Sequence, residues 1–140
     1  MGDREVIAVV DAGPLYAVAD ADDRHHDACL AVMSRADLQL VVAGLAVAEA
    51  TYFVGSRLGP RSEARFLQGI GELDIECPAH EDWPRIAELV EMYADFPLGG
   101  TDASVIALAE RLRAPAIVTL DRRHFAAVRP RHRNEFVLLP

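Results

Sequence analysis

Short apolar runs that end in turn signals alternate along this chain with segments whose apolar residues recur at helical spacing, and that alternation leaves few folds open. Val6–Val10 reads as a buried strand running into the turn Asp11-Ala12-Gly13-Pro14. A helix is predicted over about Arg24–Arg35, a strand over Leu40–Val42, and helices over about Leu45–Ser56 and Pro60–Ile70. Gly59-Pro60 separates the last two, with Pro60 suited to a helix start. A strand at Leu73–Glu76, helices at about Glu81–Tyr93 and Asp102–Leu112, and closing strands at Ala116–Leu120 and Phe136–Leu138 complete the pattern. Such alternation makes βαβ units, so the expected fold is α/β, with a parallel sheet covered by helices on both faces. Function in these sheets collects at the carboxyl ends of the strands, near the point where strand order reverses. Asp11 and Asp121 both fall at such ends.

The 140 residues carry no internal repeat, low-complexity tract or linker, so a single domain over 1–140 is expected. All 14 basic residues are arginine, and the absence of lysine excludes P-loop nucleotide binding and Schiff-base chemistry. Cys29 and Cys77 sit singly among apolar neighbours, which predicts two buried free thiols and neither a disulfide nor a zinc site. Met1–Val10 lacks the pattern of a secretion signal and no apolar run reaches membrane length, so a cytoplasmic protein without membrane contact is expected. The net charge of −8 hides a gradient. Residues 1–110 hold 7 Arg against 20 acids, whereas residues 111–133 hold 7 Arg against Asp121 alone. That arginine-rich end is a candidate phosphate-binding strip, with a solvated arginine face as the plain alternative.

Four carboxylates stand out. Asp11 and Asp121 each follow a predicted strand, where turn formation or helix capping would explain either one alone. Asp102 shares a helical face with Val105, Ile106 and Ala109, the stripe that should pack on the sheet, behind a flexible Gly99-Gly100-Thr101. Glu49 has the apolar helical neighbours Leu45, Ala46, Tyr52 and Phe53, so it reads as a carboxylate on an apolar face that must be protonated, paired with an arginine or metal-bound. A doubly wound sheet would bring all four together, and clustered carboxylates repel one another unless a cation joins them. Oxygen ligands without cysteine or spaced histidine pairs point to Mg²⁺, with Mn²⁺ as a substitute. The adjacent His25 and His26 read as surface residues. His124 lies beside the fourth acid, within reach of a bound phosphate, and the sequence gives it no stronger claim.

These residues resemble a known family. V-V-D-A-G-P-L at Val9–Leu15, A-V-A-E-A around Glu49, G-G-T-D-A-S-V-I-A-L-A from Gly99 and V-T-L-D-R-R-H-F at Val118–Phe125 look, in that order, like the motifs of PIN-domain ribonucleases of the VapC toxin type. The resemblance spans nearly the whole chain. It implies a five-stranded parallel sheet in the order 3-2-1-4-5, with Asp11, Glu49, Asp102 and Asp121 as the acidic quartet that is both catalytic and metal-binding. Thr119 matches a small polar position beside the fourth acid, and Thr119, Arg122 and Arg123 are the expected substrate contacts. The resemblance further implies a Mg²⁺-dependent endoribonuclease that cuts structured RNA, tRNA or rRNA, and arrests translation. It also implies a homodimer neutralised by a cognate antitoxin protein. Two other readings stay open at this point. A haloacid-dehalogenase-like phosphate hydrolase also places an aspartate after strand 1, although Gly13 stands where its second aspartate belongs and its lysine is missing. A non-catalytic RNA-binding module is the other.

Overall fold

A computed structural model describes residues 5–140; the first four residues, part of the Met1–Val10 stretch and of the expected 1–140 domain, lie outside the described residues. Five strands, Val6–Val10 (β1), Leu38–Ala43 (β2), Ile75–Glu76 (β3), Ala116–Val118 (β4) and Val137–Leu139 (β5), form one sheet in the order β3-β2-β1-β4-β5. Every neighbouring pair is parallel, as the sequence predicts. Successive strand residues point to opposite faces, and Ala8, Val9 and Val10 are all fully buried, so both faces of the centre are covered. The edges are cut short: β3 has two residues and β5 three, which limits the unpaired backbone offered to other chains.

Seven helices connect these strands: Ala12–Ala19 (α1), His26–Met33 (α2), Gly44–Leu58 (α3), Pro60–Ile70 (α4), Asp82–Met92 (α5), Gly100–Leu112 (α6) and Arg122–Ala127 (α7). Right-handed crossovers place the helices leading to β2 and β3 on one face and those leading to β4 and β5 on the other. α6 is the central helix, with Ala103–Ala109 buried without a break. The turn between α3 and α4 rests on Gly59 at φ +90°, ψ 174°, a region open essentially to glycine alone, and Pro60 starts α4 as expected.

The structure corrects the sequence reading at several places. Asp11-Ala12-Gly13-Pro14 is no free turn: α1 begins at Ala12, and Pro14 is tolerated because the first helical turn has no intrahelical use for its missing N–H. The helix expected over Arg24–Arg35 is shortened to α2, because Asp23 holds the His25 N–H in a turn ahead of it. β2 is longer than expected, β3 and β4 are shorter, and β5 starts one residue later. Cys29 is buried but Cys77 is exposed, its sulfur lying where only a glycine at position 44 leaves room. His26 is half-buried, its Nδ1 2.7 Å from the Ala17 carbonyl at the end of α1.

Arg111 and Arg131 of the arginine-rich segment join Arg85, from α5 itself, in holding α5 on α6. Arg85 donates two hydrogen bonds of 2.8 Å to Glu110, and both side chains are largely buried. Arg111 donates to Asp82 and to Glu76, each at 3.0 Å. The Arg131 guanidinium meets Glu88 at 3.0 Å, while its backbone N–H donates to Glu110 at 2.8 Å. The continuous phosphate-binding strip expected over residues 111–133 is therefore broken: Arg111 and Arg131 neutralise acids from the first part of the chain.

Candidate active site

The register of the central strands sets the site. Val10 is aligned with Val118, and the Asp11 N–H donates to the Val118 carbonyl at 3.0 Å, so the chain leaves β1 beside the end of β4. Strand order reverses between these two strands, which opens a crevice at their carboxyl ends. Asp11 enters it almost fully buried. Its Oδ2 accepts a hydrogen bond of 3.0 Å from Thr119 Oγ1, while its Oδ1 is buried with no partner among the described residues. Burial is the largest cause pushing the Asp11 carboxyl up to about 7; the Ala12 N–H opposes this, and the charges of Asp102 and Glu49 add to it.

Thr119 is 1% exposed. Its hydroxyl donates to Asp11 and accepts from the Asp121 N–H at 3.0 Å, tying the two strand-end acids together. The expected substrate contact is thus a buried side chain whose hydroxyl is engaged with both acids. Thr119→Val keeps the shape but leaves a buried carboxylate oxygen and a backbone N–H each short of a partner. The expected cost is about 1–3 kcal/mol of stability in denaturant unfolding, with kcat falling more than KM rises.

Asp102 projects from the first turn of α6 into the same crevice, and its carboxyl is pushed up to about 6. Burial is the largest cause, the Asp121 charge adds to it, and His124 opposes it. Asp121 caps α7, its Oδ1 accepting from the His124 backbone N–H at 3.1 Å. Both capping and clustering thus hold for this residue. Its Oδ2 lies 2.5 Å from His124 Nδ1, which is also 3.5 Å from Asp102 Oδ2. One ligand atom each from Asp102, Asp121 and His124 lie within 4.8 Å of one another. His124 was the residue undervalued from sequence; the available signal was its position three residues after Asp121, which on a helix turns both side chains the same way. Phe96, from the loop between α5 and α6, meets the imidazole edge-on at 5.4 Å and had no sequence signal.

Glu49 stands apart from this inner group. The buried stripe of α3 is Ala46, Ala50 and Val54, whereas Glu49 is exposed and its neighbour Tyr52 is 69% exposed. The expected carboxylate on a buried apolar face is therefore corrected: the helix is apolar nearly all round, and only one side is covered. No arginine pairs with Glu49 among the described residues, and its charge raises both Asp11 and Asp102, which sets it at the rim of the same crevice. Arg122 donates to the Leu138 carbonyl at 3.4 Å and to the Pro140 carbonyl, tethering the chain end. The Arg123 guanidinium lies 5.1 Å over the Phe96 ring, beside His124.

The donor set suits a hard divalent cation. Asp102 and Asp121 present carboxylate oxygens to one place with His124, Asp11 Oδ1 is a buried acceptor without a partner among the described residues, and Glu49 stands at the rim.

A sheet of this order with acids at its switch point defines a class, and the model of the PIN domain family matches residues 8–129. The chain is also 36% identical over 136 residues to Ribonuclease VapC26 of Mycobacterium tuberculosis (strain ATCC 25618 / H37Rv), covering 94% of this chain and 99% of that protein. It therefore belongs to the PIN-domain family and, within it, to the VapC ribonucleases. Among solved structures, M. tuberculosis VapC20, described as a sarcin-ricin loop cleaving toxin, superposes with a TM-score of 0.72 at 15% identity, covering 79% of this chain and 86% of that one. VapBC2 of Rickettsia felis, bound to a promoter DNA fragment, gives 0.68 at 14% identity, covering 94% and 96%. A toxin–antitoxin complex from Klebsiella pneumoniae gives 0.65 at 17% identity, covering 86% and 92%. These share the fold. PIN-domain nucleases are metal-dependent endoribonucleases, and with membership in that family the phosphate-hydrolase and non-catalytic readings fall away. No described helix is long and apolar enough to cross a membrane.

Proposed function

We propose that this chain is a Mg²⁺-dependent endoribonuclease toxin that cuts structured RNA, tRNA or rRNA, and so arrests translation. The observation that carries the proposal is the convergence of Asp11, Asp102 and Asp121 at the β1–β4 crevice, with Glu49 at its rim and one Asp11 oxygen left without a partner. Asp11, Asp102 and Asp121 would hold the metal directly or through water, and Glu49 would hold a second ion or orient the attacking water. Bound there, Mg²⁺ supplies charge for the scissile phosphate and the leaving oxygen and lowers the pKa of a bound water. The protein's own part is positional. Thr119 fixes Asp11 against Asp121, and the α6 N-terminus offsets part of the negative charge at Asp102. The test is end-mapping of cellular RNA after induction, with Asp102→Asn as the control; undiminished cleavage in excess EDTA sinks the proposal.

RNA must approach a cluster of like charge; Arg122 and Arg123 follow Asp121 in sequence, and the Arg123 guanidinium lies over Phe96, which packs on His124. Phosphate contacts position a strand without reading its bases. The double change Arg122→Ala, Arg123→Ala is expected to weaken different RNAs about equally and to flatten the slope of log affinity against log salt by roughly one unit. Titration of an Asp102→Asn protein at several salt concentrations measures this. An unchanged slope assigns both arginines to the roles already seen, chain-end tether and aromatic cover.

The partners we propose are an antitoxin protein and a second copy of the chain as a homodimer. Support for the first is an apolar groove of about 560 Å³ lined by Leu15, Val18, Leu30, Met33, Phe66 and Leu73, between α1, α2 and α4. A complex that leaves this groove uncovered overturns that placement, and sedimentation of the free toxin tests the dimer.

A further inference from the structure

We propose that His124 is a side-chain ligand of the metal, joining Asp102 and Asp121, and that its nitrogen makes the site favour Mn²⁺ over Mg²⁺. The proposal rests on the metal-dependent reading above and adds a ligand that the four-carboxylate pattern does not contain.

The geometry comes first. His124 Nδ1 lies 2.5 Å from Asp121 Oδ2 and 3.5 Å from Asp102 Oδ2, and one ligand atom of each residue lies within 4.8 Å of the others. Ligand atoms that share an ion at about 2.0–2.2 Å sit roughly 3–4 Å apart, so small movements convert this cluster into a coordination sphere.

The plain alternative is that the imidazole only pairs with Asp121 to finish the α7 cap. Two observations weigh against it. The cap is already complete without the ring, because the His124 backbone N–H occupies Asp121 Oδ1. The ring is also held from the other side: Phe96 meets it edge-on at 5.4 Å and 85°, Arg123 lies over Phe96, and fully buried Phe125 anchors α7 beneath. This packing holds the ring in the orientation that presents Nδ1 to both acids. Nor does the imidazole substitute for the cation, since Asp11 Oδ1 is still without a partner while His124 is in place.

The choice of ion follows from the donor set. Mg²⁺ demands oxygen ligands in near-ideal octahedral geometry, whereas first-row transition ions accept imidazole nitrogen. Mn²⁺ shares the Mg²⁺ preference for carboxylate and water oxygen but, as the first of the transition series, gains more than Mg²⁺ from a single imidazole nitrogen in the set.

The test is pulsed EPR of Mn²⁺ bound to the full chain, with natural-abundance and ¹⁵N-labelled histidine. The expected result is a nitrogen coupling that responds to the isotope and is lost in both His124→Gln and His124→Phe. Calorimetry on the same proteins is expected to show Mn²⁺ affinity falling about tenfold or more and Mg²⁺ affinity falling less than about threefold. Mn²⁺ bound without a histidine coupling, or an equal loss for both ions in variants that keep the wild-type circular dichroism, overturns the role of His124 alone. Mn²⁺ that does not bind at all removes the metal centre, and the proposed function goes with it.

Discussion

Asp102→Asn is expected to reduce RNA cleavage by a factor on the order of 10²–10³ or more while leaving the protein folded and, without metal, at least as stable as wild type. The asymmetry follows from where the charge sits. Asp102 is half-buried and its carboxyl is already pushed up to about 6, by burial first and then by Asp121. An asparagine of the same shape removes that repulsion, so the metal-free fold gains or breaks even. The loaded site loses a charged oxygen from a cluster whose chemistry depends on holding a cation against a phosphate. Asp11→Asn and Asp121→Asn should behave alike in activity, but Asp121→Asn also weakens the cap that accepts from His124. A metal-dependent cleavage assay beside thermal melts in EDTA separates the two effects. Loss of activity together with loss of fold would assign these aspartates to structure instead.

The sheet was legible because strands buried on both faces must be apolar at every residue, and Val6–Val10 and Ala116–Val118 are. α1 was not legible, because Gly13 and Pro14 carry turn signals that a helix tolerates only in its first turn, and Gly13 is drawn into that turn against Leu120. Asp11 and Asp102 were readable from strand-end and helix-face position, since both rules depend on spacing alone. Glu49 misled because an apolar surround in sequence does not say which face of a helix is covered: Tyr52 and Glu49 lie on the open side. The arginine segment misled for a related reason, as the partners of Arg111 and Arg131 come from Glu76, Asp82, Glu88 and Glu110, far away in the chain. Counting charge along a sequence cannot see pairings that only the fold creates.

Without metal, the protein is expected to lose stability as pH rises from about 4 to about 7. Asp11 titrates at about 7 in the folded chain against 3.8 for an unperturbed aspartate. Between those values the folded state holds a proton that the unfolded state has released, so folding binds protons and raising the pH opposes it. The penalty is absent below the unfolded value, grows through the interval and is complete above about pH 7. At roughly 1.4 kcal/mol per pH unit the interval corresponds to on the order of 4 kcal/mol, a large share of the 5–15 kcal/mol typical of a domain. Asp102, pushed up to about 6 and less buried, adds a smaller contribution in the same direction, and the two are not additive because the Asp102 charge is itself one of the causes that raise Asp11. Mg²⁺ or Mn²⁺ favours the ionised carboxylates, so the stabilisation gained from metal should grow across the same window and be small at pH 4. Asp11→Asn removes the largest contribution and should flatten the metal-free profile. Urea unfolding in EDTA at pH 5 and at pH 7.5, for wild type and Asp11→Asn, measures both slopes. Equal wild-type stability at the two pH values would mean that water or a rearranged side chain reaches Asp11 Oδ1 and that its burial does not hold in solution.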